Sequence, residues 1–428
     1  MGELFDAANQ WLDQVEQTQD YTLPYVDIDS KTEPVRLNLM MSFWFYEGDQ
    51  LAVREYFFNK VIDYINLTGV DFQREASVKK QRERKFRKEG FPKNWIEDIQ
   101  KKKLDSSLVY YFSDQPQMSF APKYGVKASF SPDFANNEWY STVNFIFPFD
   151  FLGNSDKKLQ CIEFFKSIVR EAKIEQAYCG YRIGQPLDFT QAVPWQVFDT
   201  ATAYRFLGLD IEKKSQTSAV TNDEPSLEKG VRSTAWLVYL GKPWLDKLEE
   251  IQAKEYANTP LQLELINDGI FFQADESPQL ARIGLPRPQG YQALNNILKP
   301  IREQMLPLTQ YADSLADWEP VFFQPEECDW WLGRWDRDDD AELLAKYPVP
   351  DNLKSKDSVN FAETQLKSAS EPKGLESLKV RGGEACIKTG YWQTSAQPDS
   401  RQYFKEGEIL PKMSELDWGE VYWYWDGE

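Results

Sequence analysis

Between residues 317 and 342 the chain carries ten acidic residues and two arginines, a net charge of −8 in 26 positions, interleaved with Trp318, Trp330, Trp331 and Trp335. Carboxylates at that density can ligate a hard cation, act as an acid and base pair on a glycosidic bond, or face the Lys and Arg of a basic partner. The calcium reading fails on spacing. Asp336, Asp338 and Asp340 would take loop positions 1, 3 and 5, but Ala341 stands where a glycine makes the turn and Tyr347 where a glutamate closes the cage. The glycosidase reading has 68 carboxylates to draw on and no local pattern that picks out two. The third reading uses the tryptophans too, since desolvated rings supply affinity while carboxylates supply steering and selectivity. Trp330, Trp331, Trp335, Asp336, Asp338, Asp339 and Asp340 are therefore the expected partner-binding residues. The same pattern would arise if the tryptophans were buried and only the aspartates were wet.

Other chemistries are restricted by what is missing. No histidine occurs in 428 residues, which removes Ser-His-Asp and Cys-His catalysis, the H-E-x-x-H zinc site and histidine proton relays. Cys161, Cys179, Cys328 and Cys386 are too far apart in sequence for a C-x-x-C knuckle and read as buried, reduced thiols. No glycine-rich phosphate loop appears. No catalytic residue, metal site or cofactor is expected. A formal charge of −19, from 49 basic and 68 acidic residues, repels a phosphate backbone and attracts a basic protein. One stretch runs the other way: residues 79–103 hold eleven Lys/Arg against four Asp/Glu, and read as a solvated helix and loop paired with acidic neighbours. The acidic first twenty residues are the opposite of a signal peptide, and no apolar run of membrane-spanning length exists, so a cytoplasmic chain without membrane contact is expected.

The elements that must position these residues are legible in part. Val35, Leu37, Leu39, Met41, Phe43 and Phe45 alternate, which predicts a long strand with one buried face. After Gly48 and Asp49, Val53, Phe57, Val61 and Ile65 recur every fourth residue and Gly69 supplies a stop, which predicts a helix. Strand, tight turn and helix recur at residues 141–172 and again from Thr234, where Gly241 separates a strand from a helix at about 244–253. Asn267, Asp268 and Gly269 between two apolar runs predict a hairpin. The expected fold is α+β, with repeated strand-turn-helix units forming largely antiparallel sheet packed with helices.

Composition divides the chain further. Residues 1–24 read as a helical segment, 25–316 as the main α+β domain, with room for two sub-domains, and 317–347 as the acidic, Trp-rich segment. Residues 348–382 read as a linker and 383–428 as a small all-β module, expected to dock because it offers little core of its own.

The run from Asp268 through Gly269, Ile270, Phe271, Phe272, Gln273 and Ala274 to Gly284, followed by Tyr291 to Arg302 and ending Leu298, Lys299, Pro300, Ile301, Arg302, resembles a bacterial family. It is the type VI secretion immunity family whose toxins carry the VRR-NUC nuclease fold. Pro24 to Val26, the unit at 35–67, and Gly230 to Leu248 with Trp236 and Gly241 are similar to it as well, so the resemblance runs from about Tyr25 to Met305. Where relatives often place a glycine and a proline after the hairpin, this chain has Asp275, Glu276, Ser277 and Pro278, which implies a differently shaped loop. Gly383 to Trp392, Arg401 to Pro411 and Gly419 to Trp425 resemble a short module appended to polymorphic-toxin immunity proteins. The resemblance implies a non-enzymatic immunity protein that binds and neutralises a cognate toxin, a DNA nuclease with a basic cleft, by blocking its active site. It implies no contact with nucleic acid itself and carries over no toxin-contact residue, because the shared positions read as core and turns. The alternative reading is a carbohydrate-binding protein or carboxylate-based glycosidase using the same aromatics.

Overall fold

In the computed structural model of the chain, the described residues are 2–77, 82–100, 108–131, 140–187, 195, 197–211, 230–232, 234–248, 256, 258–302, 330–337, 340–354, 379–394, 400–412 and 422–427. The helices are α1 (Gly2–Thr18), α2 (Leu51–Thr68), α3 (Lys93–Gln100), α4 (Ser155–Glu171), α5 (Val197–Ala203), α6 (Lys242–Leu245), α7 (Gln289–Leu298) and α8 (Ala341–Lys346). The first strands are β1 (Tyr25–Asp27), β2 (Thr32–Phe45), β3 (Arg74–Ser77), β4 (Arg82–Lys85), β5 (Leu108–Ser113), β6 (Gly125–Phe130), β7 (Ser141–Pro148) and β8 (Gln176–Gly184). They are followed by β9 (Leu237–Leu240), β10 (Gln262–Ile266), β11 (Gly269–Gln273), β12 (Lys379–Arg381), β13 (Gly390–Gln393), β14 (Gln402–Phe404) and β15 (Tyr422–Gly427).

Eleven strands form one sheet in the order β10-β11-β9-β8-β2-β7-β6-β5-β3-β4, with β1 paired to β2, and every ladder in it is antiparallel. The expected α+β class and antiparallel sheet are what the chain adopts. The strand read from residues 35–45 is β2, but its burial differs from the expectation of one covered face: every residue from Val35 to Phe45 is buried. Its central place between β7 and β8 is the reason. Leu37, Leu39, Met41, Phe43 and Phe45 enter the main core, whereas Met40 joins Val109, Tyr111, Met118, Ile146 and Leu187 in a second cluster. The even-numbered polar side chains are paired: Asn38 Nδ2 donates to the Phe147 carbonyl at 2.9 Å, and Ser42 Oγ donates to Asn144 Oδ1 at 2.5 Å.

Helices α2 and α4 follow their strands through tight turns and pack on the sheet by aromatic contacts. Phe45 stacks on Phe57 at 4.5 Å and Phe43 meets Phe165 at 5.1 Å. Gly69 ends α2 in the left-handed conformation at φ 70°, its N–H bonding the Ile65 carbonyl at 2.8 Å. Asn154 caps α4, its side chain accepting from the Lys157 N–H at 2.7 Å. Of the basic stretch, Arg82–Lys85 is strand β4 where only helix and loop were expected, Lys93–Gln100 is the helix α3, 79–81 and 101–103 lie outside the described residues, and Arg84 pairs with the acidic neighbour Glu75 at 2.5 Å across the β3–β4 ladder.

The chain divides into two compact units, Met1–Leu366 and Lys367–Glu428. The second is a four-stranded sheet, β12-β15-β13-β14, with a small core of Val380, Cys386, Trp392, Leu410 and Trp423.

Candidate functional site

The Trp-rich segment is described over 330–337 and 340–347; residues 317–329, Trp318 among them, and Asp338 and Asp339 lie outside the described residues. Its aromatic side chains turn inward. Trp331 is fully buried beside Ala203, Ile211 and Leu332, and Trp335 is buried with its ring 5.4 Å from that of Tyr291 on α7. Trp330 is half-buried, 5.6 Å from the ring of Tyr204. The two indoles expected at the surface thus belong to the packing, because the loop after α5 and one face of α7 supply apolar walls that no local pattern announces. Arg334 lies over Trp331 at 3.9 Å and donates from Nε to the Leu207 carbonyl at 2.6 Å and from Nη1 to the Trp331 carbonyl at 2.8 Å. Burial first, then the nearby Arg302 and Arg232, bring its pKa down to about 9, against the pull of Asp210.

Asp210 anchors the next layer. Its carboxylate accepts from Arg182 Nε at 2.7 Å and Arg232 Nη2 at 3.1 Å, so segments around 182, 210 and 232 meet on one buried charge. Burial alone would raise its pKa, but the charges of Arg182 and Arg232 outweigh it and hold the carboxyl below its usual range.

Asp336 and Asp340 of the segment are also engaged. Asp336 accepts from Arg302 Nη2 at 2.5 Å and from Asn295 Nδ2 at 2.7 Å, with Lys299 Nζ 3.4 Å away. Burial favours its neutral form, but hydrogen bonds from Arg302 and Asn295 and the charges of Arg302 and Lys299 win, and its pKa is lowered. Asp340 pairs with Arg287 at 2.9 Å. The signal for this was present: residues 277–302 hold Arg282, Arg287, Lys299 and Arg302 and no acidic residue, a complement to the acidic run. Position in sequence does not reveal that the two stretches meet.

Below the segment, α1 is clamped by a second buried charge. Glu16, 1% exposed, accepts from Arg205 Nη1 at 2.8 Å and from Arg282 Nε, and Arg282 Nη2 donates to the Tyr347 carbonyl at 3.1 Å. Between α1 and residues 346–354 a groove of about 840 Å³ opens, with Phe5, Asp6 and Asp13 on one wall and Lys346, Tyr347 and Lys354 on the other. Among the described residues no three Cys, Asp or Glu side chains converge in a metal-ligating cluster, and no helix is long and apolar enough to cross a membrane.

The comparisons with known proteins agree with this architecture. "Pseudomonas aeruginosa T6SS protein PA0821" shares the fold, with a TM-score of 0.64 at 18% identity over 81% of this chain and 96% of that one. No curated protein sequence matches. The profile of the TsiV family, described as type VI immunity for VRR-NUC, matches residues 73–335. That span takes in the sheet from β3 to β11, the Asp210 anchor and the tryptophans at 330–335, so the chain belongs to the TsiV family of type VI immunity proteins.

Proposed function

We propose that the protein binds a cognate VRR-NUC toxin in the cytoplasm and keeps nucleic acid, most simply DNA, from its active site, with no catalysis of its own. The family match over residues 73–335 carries the reading. The charge of −19 supports it, because a cleft built to hold phosphates is lined with Lys and Arg that an acidic surface can satisfy. Within the segment expected to bind, buried Trp331 and Trp335 and the paired Asp336 and Asp340 keep the site in shape. Half-buried Trp330 stays in the proposed contact set, and Asp338 and Asp339 stay in it on charge alone.

The test is a titration of the toxin encoded next to the gene with purified protein, read by DNA cleavage, alongside co-purification and rescue of cells expressing that toxin. Cleavage should stop near one equivalent. Undiminished cleavage at excess protein, or turnover of a nucleic acid or glycan by the protein itself that one carboxylate substitution abolishes, would sink the reading.

A further inference from the structure

The turn that joins β1 to β2 carries the most exposed large apolar side chain among the described residues. Ile28 is 83% exposed, and Val26, two positions back, is 50% exposed. Asp27 and Asp29 alternate with them. Exposed apolar residues scattered singly need no explanation, but two β-branched ones at the tip of a fixed hairpin, between carboxylates, are a different arrangement.

The tip is held in one shape. Tyr25 pairs with Val35 and Asp27 with Thr32 across the ladder, Ser30 Oγ donates to the Asp27 carboxylate, and the Ser30 and Thr32 hydroxyls are 2.6 Å apart. Lys31 takes the left-handed backbone at φ 54° that closes the turn. At the base, the Tyr25 ring packs against Phe198 at 4.8 Å and Trp195 at 5.9 Å. A pre-shaped loop loses little conformational freedom on binding. Asp29 has no polar partner among the described residues, so its charge is available. Leu265 is 71% exposed too, but its neighbour Glu264 is already occupied by Lys166 at 2.5 Å and Arg170 at 3.8 Å.

We propose that this hairpin tip, Val26 to Asp29, is a direct contact with the nuclease partner, Ile28 and Val26 seating in an apolar recess and Asp29 facing cations of the phosphate-binding cleft. The proposal rests on the function given above and names the surface that serves it. The occupant follows from charge: two carboxylates on the tip of a chain of net charge −19 suit a cationic cleft and no acidic partner.

The experiment measures binding of the full chain to a catalytically inactivated VRR-NUC toxin from the adjacent gene, with thermal melting of each variant as the folding check. Ile28→Ser should raise Kd about ten-fold or more, chiefly through faster dissociation. Asp29→Asn should slow association at low salt and matter less at high salt. Leu265→Ser, the loss of another largely exposed apolar side chain elsewhere, should leave Kd unchanged. If the wild type binds and both tip variants bind as tightly and as fast, the tip is not the contact while the function stands. Equal weakening by Leu265→Ser would likewise overturn the assignment to this tip. A wild type that fails to bind the toxin removes the proposed function and this contact with it.

Discussion

Trp335 is 4% exposed and packs on Tyr291, and Trp331 is fully buried under Arg334. Replacing either by alanine removes a large buried ring, so each should cost about 3–5 kcal/mol of folding stability, measured by urea unfolding. Trp330→Ala should cost clearly less, since its ring is only half-buried. A loss of toxin binding in the first two variants therefore reports on stability before it reports on contact. Asp336 gives a pH signature. Its pKa is lowered in the folded protein, so the stability it contributes is present above the ordinary carboxylate range and is lost as pH falls through the folded value. The melting-temperature gap between wild type and Asp336→Asn should be steady from pH 7 to about 5 and should close in more acid solution. A gap that widened toward acid would contradict this assignment.

At the scale of elements, the two helices that cover the central strands are bounded by residues chosen for their ends. Gly69 sits at φ 70°, and a Cβ built there meets nothing within 4 Å, so Gly69→Ala should cost about 1 kcal/mol from backbone conformation alone. Asn154→Ala removes the acceptor for the Lys157 N–H and should cost about 1 kcal/mol too. Chemical denaturation of both variants checks the pair, and the double variant should depart from the sum, because Lys157, whose N–H Asn154 caps, also donates from Nζ to the Leu67 carbonyl at 2.8 Å in the last turn of α2. The first of these ends was readable from a glycine after the last apolar repeat. Strands β5 and β8 were not, because each is buried along its whole length and a strand covered on both faces shows no alternation.

For the whole molecule the governing quantity is the charge of −19. Association with a cationic nuclease should be steered at long range and fall several-fold in rate between low and physiological salt, while dissociation changes less. Stopped-flow rates indifferent to ionic strength would remove steering from the account. The buried ion pairs do not take part in that steering. Asp210 and Glu16 are enclosed with their arginines and hold segments far apart in sequence together. Glu16, for example, joins α1 to Arg205 and Arg282.

Periodicity, turn chemistry and composition were enough to predict the α+β class, the long strand at 35–45, the helices that follow β2 and β7, the hairpin around Asn267 and the acidic character, because each depends on neighbours within a few residues. The destination of the acidic run was a tertiary matter. Asp336 and Asp340 neutralise Arg302 and Arg287, and Trp331 and Trp335 enter the interior, only because α7 and the loop after α5 are brought alongside by the sheet. Exposure was settled in the same way. A local reading of Val26, Asp27, Ile28 and Asp29 finds an ordinary alternating segment, and only the end of the β1–β2 ladder leaves Ile28 in water, since what a side chain buries against is fixed by elements distant in sequence.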